Sequence, residues 1–539
     1  MLCCAAPASA ARLSTSSPAL TYLEARAAAM NGQHDRAAEL LSALAQSQPD
    51  QAQFAQQALS EAIGAGRMDL AVSLVGRIPA DKLTTDARLL MVAQSIKQRR
   101  VDRAVQWLGG NGTGGLAFLA PVLTAWDAAD RGDQARALAA INQIPSNGLL
   151  APMRDEQTAL LLLKFRRSAD AEPFARRAIG SAGAREARVR LALADGFLAA
   201  GDRSRAMAMV EGMSSDSGAA RQRILAGRPS GEAVDTSAKA LSSVLTALAA
   251  EVARMQRGAL PIGLVQVARY SDPQNSSATA LLGLLLDSQG RTDEALALLA
   301  SVPRNDALIS QVRDVQVRIL TGGKRFDEAY RLAADSLRES PGVSDYSRFG
   351  DVLEAMGRHN EAADAFGRSI AIANAQGLKS ELWTLQLLQA NSLEEANRWP
   401  EAKAVLQQAL AAAPDQPLLL NFLGYAKLEH GEDVESAEGM IRKASELAPD
   451  DASIIDSLGW AQFKRGKLDE AIITLQRAAE KDPDQAEIQE HLGDALYKSG
   501  RRFEARFAWN AALVTAEDDM AARVKAKLAS GLSSANAAP

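Results

Sequence analysis

The chain has 539 residues and a formal net charge of −5. It is 47% hydrophobic but only 4% aromatic, with alanine and leucine dominant, which suits many small helix–helix crossings and does not suit a sheet core. Lysine and arginine are spread singly, which excludes the basic stripe of a nucleic-acid binder, and no apolar run reaches the roughly 18 residues that span a membrane.

In chain order, residues 1–17 read as an unstructured tail. Its MLCCAAPASA carries the only cysteines, Cys3 and Cys4, too few for a disulfide framework or a zinc site. Ala8-Ser9-Ala10 has the small-x-small form of a secretory cleavage site. Three readings stay open: the remnant of a signal peptide, a lipoprotein signal ending at Cys3 or Cys4, or a plain Ala/Ser-rich tail. Residues 18–213 read as helical hairpins. Half-motifs recur there as Gly32, Ala37, Leu41 and Pro49, then Gly66, Ala71 and Val75, then Gly132, Ala137 and Ile141, then Gly201, Ala206 and Val210. The GGNGTGG run at 109–115 lacks the strand and the Gly-Lys-Ser/Thr of a phosphate loop, so it reads as a connection. Residues 214–240, with SSDSG and GRPSGE, read as an irregular joint. A repeat array follows over 241–519, a capping helix over 520–532 and a loose tail over 533–539.

The array has the clearest signal. Gly424, Gly459 and Gly493 recur together with Ala437, Ala471 and Ala505 and with Pro414, Pro449 and Pro483. The step is about 34 residues, the mark of stacked helix pairs. In the unit 452–485, Ile455, Leu458, Gly459 and Gln462 share one face of a first helix. Gly466 and Lys467 turn the chain. Ala471, Leu475 and Ala478 share a face of a second helix, and Pro483 stops it. Gly459 and Ala471 are small because two backbones must approach there. The fold class expected is all-α: a superhelical solenoid of antiparallel helix pairs, degenerate in its N-terminal half.

These residues resemble the tetratricopeptide repeat (TPR) family. Leu492, Gly493, Leu496, Ala505, Trp509 and Ala512 fit its template one unit later, and Leu423, Gly424, Ala437, Ile441, Ala444 and Pro449 one unit earlier. In the N-terminal half, generic helical repeats remain an alternative. The phrases LNFLGYA, DSLGWA and EHLGDALYKSGRRFEARFAW, within roughly Leu264 to Leu532, are similar to exported proteobacterial TPR proteins, often lipoproteins. One of that group is an adaptor for a carboxyl-terminal-processing protease.

The resemblance implies that the first helix of each unit lines a ligand groove. Carried over, it places Asn421, Tyr425, Asp456, Trp460, Phe463, Glu490, Asp494 and Tyr497 there. Such a surface, acidic with aromatic anchors, fits an apolar and basic peptide and disfavours the carboxylate clamp of co-chaperones. The four histidines, His34, His359, His430 and His491, lie in different repeats without a ligand set, His430 and His491 on solvated faces. No catalytic, metal or cofactor site is expected. The function expected is a non-enzymatic, periplasmic or outer-membrane-associated adaptor that gathers an envelope protease or cell-wall enzyme with its clients. A cytoplasmic regulator or assembly chaperone is the alternative; a third reading is the TPR portion of an enzyme whose activity is supplied in trans.

Overall fold

The computed structural model describes residues 17–538 except 110–114, 146, 148–149, 214–216 and 256–260. Cys3, Cys4, the Ala8-Ser9-Ala10 site and most of the GGNGTGG run lie outside the described residues. Those described form thirty α-helices with short connections and contain no strand. The protein is an all-α solenoid of antiparallel helix pairs.

The unit 452–485 shows how sequence makes the pair. The Asp451 carboxylate accepts the Ser453 and Ile454 N–H groups, both at 3.1 Å, and so caps the helix Ala452–Lys464. Gly466 ends it at φ +75°, with the Lys467 N–H reaching back to the Gln462 carbonyl at 2.9 Å. The second helix, Leu468–Lys481, then packs on the first. A Cβ on Gly459 would lie 2.6 Å from Leu475 Cγ, so only glycine permits the crossing. Gly350 plays this part against Phe366, Gly283 against Leu299 and Gly493 against the Trp509 indole.

The same turn is also made without glycine. At the left-handed turn position the chain uses Arg99, Arg166, Lys324 and Asn397, at φ 56–59°. The next N–H in each case bonds back as Lys467 does: Arg100 to Ser95, Arg167 to Leu162, Arg325 to Leu320 and Arg398 to Leu393. The geometry is kept while the glycine signal is lost.

The chain divides into two compact units, 1–333 and 334–539. In the first, pairs such as Thr85–Lys97 with Val101–Leu108 and Ala151–Lys164 with Ser168–Gly180 lead to the helix Gly218–Leu225. Residues 226–236 are irregular, and the helices Ser237–Arg254, Ile262–Ser271, Ser276–Ser288, Thr292–Ala300 and Ile309–Gly322 follow. In the second, five pairs run from Val343–Ala355 with His359–Gln376 to Ala486–Lys498 with Arg502–Thr515. The helix Asp518–Ser530 then covers the end of the stack.

Charge also departs from expectation at this end. Lys527 on the last helix is fully buried, its ammonium 2.6 Å from Glu490 and 2.7 Å from Asp494. The segment beyond Ser530 is not loose, as its composition had suggested. It folds back so that Asn536 and Ala538 are buried, and the Ala538 N–H donates to Asp494 at 3.1 Å. Gly531, at φ +83°, permits this because any Cβ there would collide with the Tyr497 hydroxyl.

Candidate functional site

In the N-terminal unit the chain turns back on itself. After Leu225 it runs along the first helices of the preceding hairpins, from the last toward the first. Asp195, in the helix Glu186–Ala199, accepts the Ser230 N–H at 2.6 Å, the Gly231 N–H at 3.0 Å and the Ser230 hydroxyl at 2.9 Å. Arg188 on the same helix faces Glu232 at 3.4 Å. Next, Lys164 donates to the Asp235 carbonyl at 2.5 Å, and Asp130 accepts from the Ser237 N–H at 3.1 Å and from its hydroxyl. Further back, Gln94 takes the Tyr270 hydroxyl, and Gln266 approaches the Gly64 carbonyl at 3.5 Å.

The sequence of this return segment suits its path. In the helix Ser237–Arg254, every residue from Ala240 to Ala249 is buried, so it is surrounded by protein on all sides. Its hydroxyls are matched: Asn275 donates to Ser242 and Thr246 at 2.9 and 3.1 Å, and Ser243 meets Arg188 at 2.7 Å. An irregular strap and two helices thus fill the inner face of this unit.

In the C-terminal unit the residues expected to face a partner are mostly seam residues. Asp456, Trp460, Phe463, Glu490 and Asp494 are all buried. Only Asn421, Tyr425 and Tyr497 are half-buried. The buried ones lie on the first helices Ala452–Lys464 and Ala486–Lys498, and the elements packed on those helices close over them. Trp460 stacks between Phe463 and His491, at ring distances of 4.7 and 4.1 Å. Lys464 lies 5.1 Å over the Trp460 ring and Lys498 4.7 Å over Phe463, so the chain's own lysines cap the aromatic ladder. Glu490 is held by Arg523 through two bonds, at 2.8 and 2.7 Å, and by Lys527. Asp494 also accepts from the Trp509 indole at 2.9 Å.

These surroundings tune the ionisable groups. Burial pushes Asp494 up despite Lys527, whereas Arg523 and Lys527 hold Glu490 below the usual carboxylate range against the opposing effect of burial. Burial, with Glu429, Glu487 and Asp456 nearby, pushes the Tyr425 hydroxyl up. His491 is buried and not solvated as its position had suggested; its Nδ1 lies 2.8 Å from Asp456. Burial alone would depress its pKa, but the Asp456 charge and hydrogen bond raise it. The other histidines also each meet one carboxylate: His34 with Glu61, His359 with Glu354 and His430 with Glu394. Among the described residues no three His, Cys, Asp or Glu side chains group to hold a metal, and no helix is long and apolar enough to cross a membrane.

Stacked hairpins whose inner helices grip chain segments define an α-helical repeat protein of the binding type. The particular repeat follows from sequence: residues 387–452 and 459–500 match models of the tetratricopeptide repeat, so the array carries TPR units. No curated protein matches the chain. Among solved structures, the chain is similar to the APC/C hetero-tetramer Cut9–Hcn1, at 16% identity over 96% of this chain and 97% of that one, with a TM-score of 0.38. It is similar to the human IFIT1 dimer with PPP-AAAA, at 16% identity over 81% and 96%, with a TM-score of 0.32. YrrB, described as a TPR protein with an unusual peptide-binding site, is 21% identical over 36% and 98%, with a TM-score of 0.27.

Proposed function

We propose that the protein is a non-enzymatic scaffold that holds polypeptide partners on the inner face of its C-terminal unit. The observation that carries this reading is the strap 226–236. In the N-terminal unit, inner helices already hold an extended segment by its backbone N–H and carbonyl groups, through Asp195, Lys164 and Asp130. That is how a groove holds a peptide, performed here in cis. With this inner face filled, binding falls to the second unit. There the half-buried Asn421 and Tyr425 and the exposed Glu429 offer polar atoms and one aromatic ring. The acidic and aromatic character favours a partner with apolar and basic residues.

The resemblance to exported TPR proteins extends the reading to the cell envelope, with a protease or cell-wall enzyme and its clients as partners, in the periplasm or at the outer membrane. Photo-crosslinking tests it. A photoreactive amino acid at Tyr425 or Glu429 of the full chain, in envelope fractions, should link to such an enzyme or its client, and one at exposed Ile473 should not. Equal labelling from both positions, or none from the inner face, would refute it.

A further inference from the structure

The strap does not fill its unit completely. A cavity of about 370 Å³ remains between the strap at Ser230–Glu232, the helices Ile262–Ser271 and Ser276–Ser288, and the loop 301–307. Two arginines line it, Arg223 and Arg269, and neither has a carboxylate partner among the described residues. Arg269 spends only its Nε, on the Thr279 hydroxyl at 3.2 Å, which leaves its two terminal nitrogens for the cavity. Its burial lowers its pKa, as expected of a cation without a counter-ion. Ser301 and Asn305 add neutral polar groups. Of the two acids on the wall, Asp306 is already engaged by the Ser276 hydroxyl at 2.7 Å and the Leu308 N–H at 2.8 Å. The other is Glu232.

We propose that this cavity is a binding site for a compact oxyanion, a carboxylate or a phosphate-type group, held between Arg223 and Arg269. Guanidinium forks suit such oxygens, and the volume suits one small head-group. The site is independent of partner binding on the C-terminal unit.

Glu232 makes the site proton-linked. Burial raises its pKa to about 7, against the pull of Arg188, with Asp306, Asp195 and Asp272 adding to the rise. Ionised Glu232 places a negative charge on the cavity wall beside Arg223 and Arg269, partly offset by Arg188 at 3.4 Å, and protonation removes that charge. Anion binding should therefore tighten as pH falls through neutrality.

Isothermal titration of the full chain with sodium sulfate and, separately, sodium acetate tests this. Neither probe titrates between pH 6 and 8.5, so any pH dependence belongs to the protein. Thermal shift is unsuitable because sulfate stabilises folded proteins non-specifically. The expected result is saturable binding at one site, several-fold tighter at pH 6 than at 8.5 and at least tenfold weaker in Arg223→Gln. Arg269→Lys should weaken it less than Arg269→Gln, which separates charge from packing. Glu232→Gln should bind with the low-pH affinity at both pH values. Sulfate alone would mark a phosphate-type ligand, and acetate alone a carboxylate. No saturable binding of either, or undiminished binding by Arg223→Gln with unchanged helical circular dichroism, would overturn the site. Equal affinity at the two pH values would overturn the role of Glu232.

Discussion

The same substitution should act with opposite sign at two glycines of neighbouring repeats. Gly439 lies on the exposed side of the helix Val434–Leu447, and a Cβ added there meets nothing within 4 Å. Gly439→Ala should stabilise by about 0.5–1 kcal/mol, the usual gain from removing a glycine in a helix interior. Gly459 lies where every residue from Ile454 to Phe463 is buried. Its added Cβ would sit 2.6 and 2.8 Å from Leu475 Cγ and Cδ2, and 3.3 Å from the Leu475 backbone nitrogen. Leu475 is fully buried and cannot swing aside, and the backbone contact means that the second helix must retreat. Overpacking of this kind costs about 1–3 kcal/mol, against the same gain in helix propensity of about 1 kcal/mol. The net effect of Gly459→Ala should be a loss of up to about 2 kcal/mol. Urea unfolding followed by circular dichroism, with both variants beside the parent chain, reads the two midpoints. If Gly459→Ala raised the midpoint as Gly439→Ala does, small residues at the crossings would not be what sets the repeat.

Asp195→Ala should cost about 1–3 kcal/mol, because it strands the buried Ser230 N–H and frees the part-buried Gly231 N–H, and hydrogen exchange at Ser230 and Gly231 should accelerate before the rest of the unit. Glu438, nearly fully buried, has its pKa lowered to about 2 because bonds from Lys467, Arg442 and Arg465 overcome the effect of burial. The stability it contributes, on the order of 3 kcal/mol, is complete above the ordinary pKa near 4.5 and lost as pH falls toward 2, so Glu438→Gln should flatten the acid limb of a stability–pH curve. Lys527→Met should cost about 3–5 kcal/mol by leaving buried Asp494 without its cation while Glu490 keeps Arg523, and adding Asp494→Asn should restore part of it in the same melt. Arg166→Gly should stabilise by about 1 kcal/mol, since Arg166 holds a left-handed turn at φ 58°; no rise in the unfolding midpoint would refute the account of the turn.

The sequence was most legible where steric demand leaves no choice. Gly459, Ala471 and their counterparts announced the helix crossings because a larger residue cannot sit there, and the all-α repeat followed. It was least legible where several residue types satisfy one geometry. The turns at Arg99, Arg166, Lys324 and Asn397 keep the hydrogen bond of the glycine turns, so a pattern search on glycine passes over them. A second signal was available in the C-terminal half of the chain. Arginine precedes the second helices and pairs three residues on with glutamate, as in Arg291–Glu294, Arg325–Glu328, Arg358–Glu361, Arg398–Glu401 and Arg501–Glu504. For the candidate site, register put Trp460 and Glu490 on the first helices of their pairs. Register says nothing of whether a neighbouring helix covers them, and that depends on Arg523 and Lys527, which the sequence offered only as charges on a capping helix.

The first helices of the N-terminal unit carry the returning chain. A helix with one wet face alternates apolar and polar residues at the helical period. The helix Ala151–Lys164 does not alternate: Glu156 to Leu163 are buried without a break, ending in the run Leu160–Leu163. One side packs on its hairpin partner, and the other meets the returning chain, where Glu156 lies 3.4 Å from Ser243. Here the cover of an inner helix is supplied by the chain itself. Such a filler is linked to its groove by a few residues, so its effective concentration is high and it needs no strong anchor at any one position. A partner in trans has no such advantage and must rely on a few strong contacts. The surface that recruits other proteins should therefore be sought where inner-helix side chains remain uncovered, around Asn421 and Tyr425, and not where the repeat pattern is merely best formed.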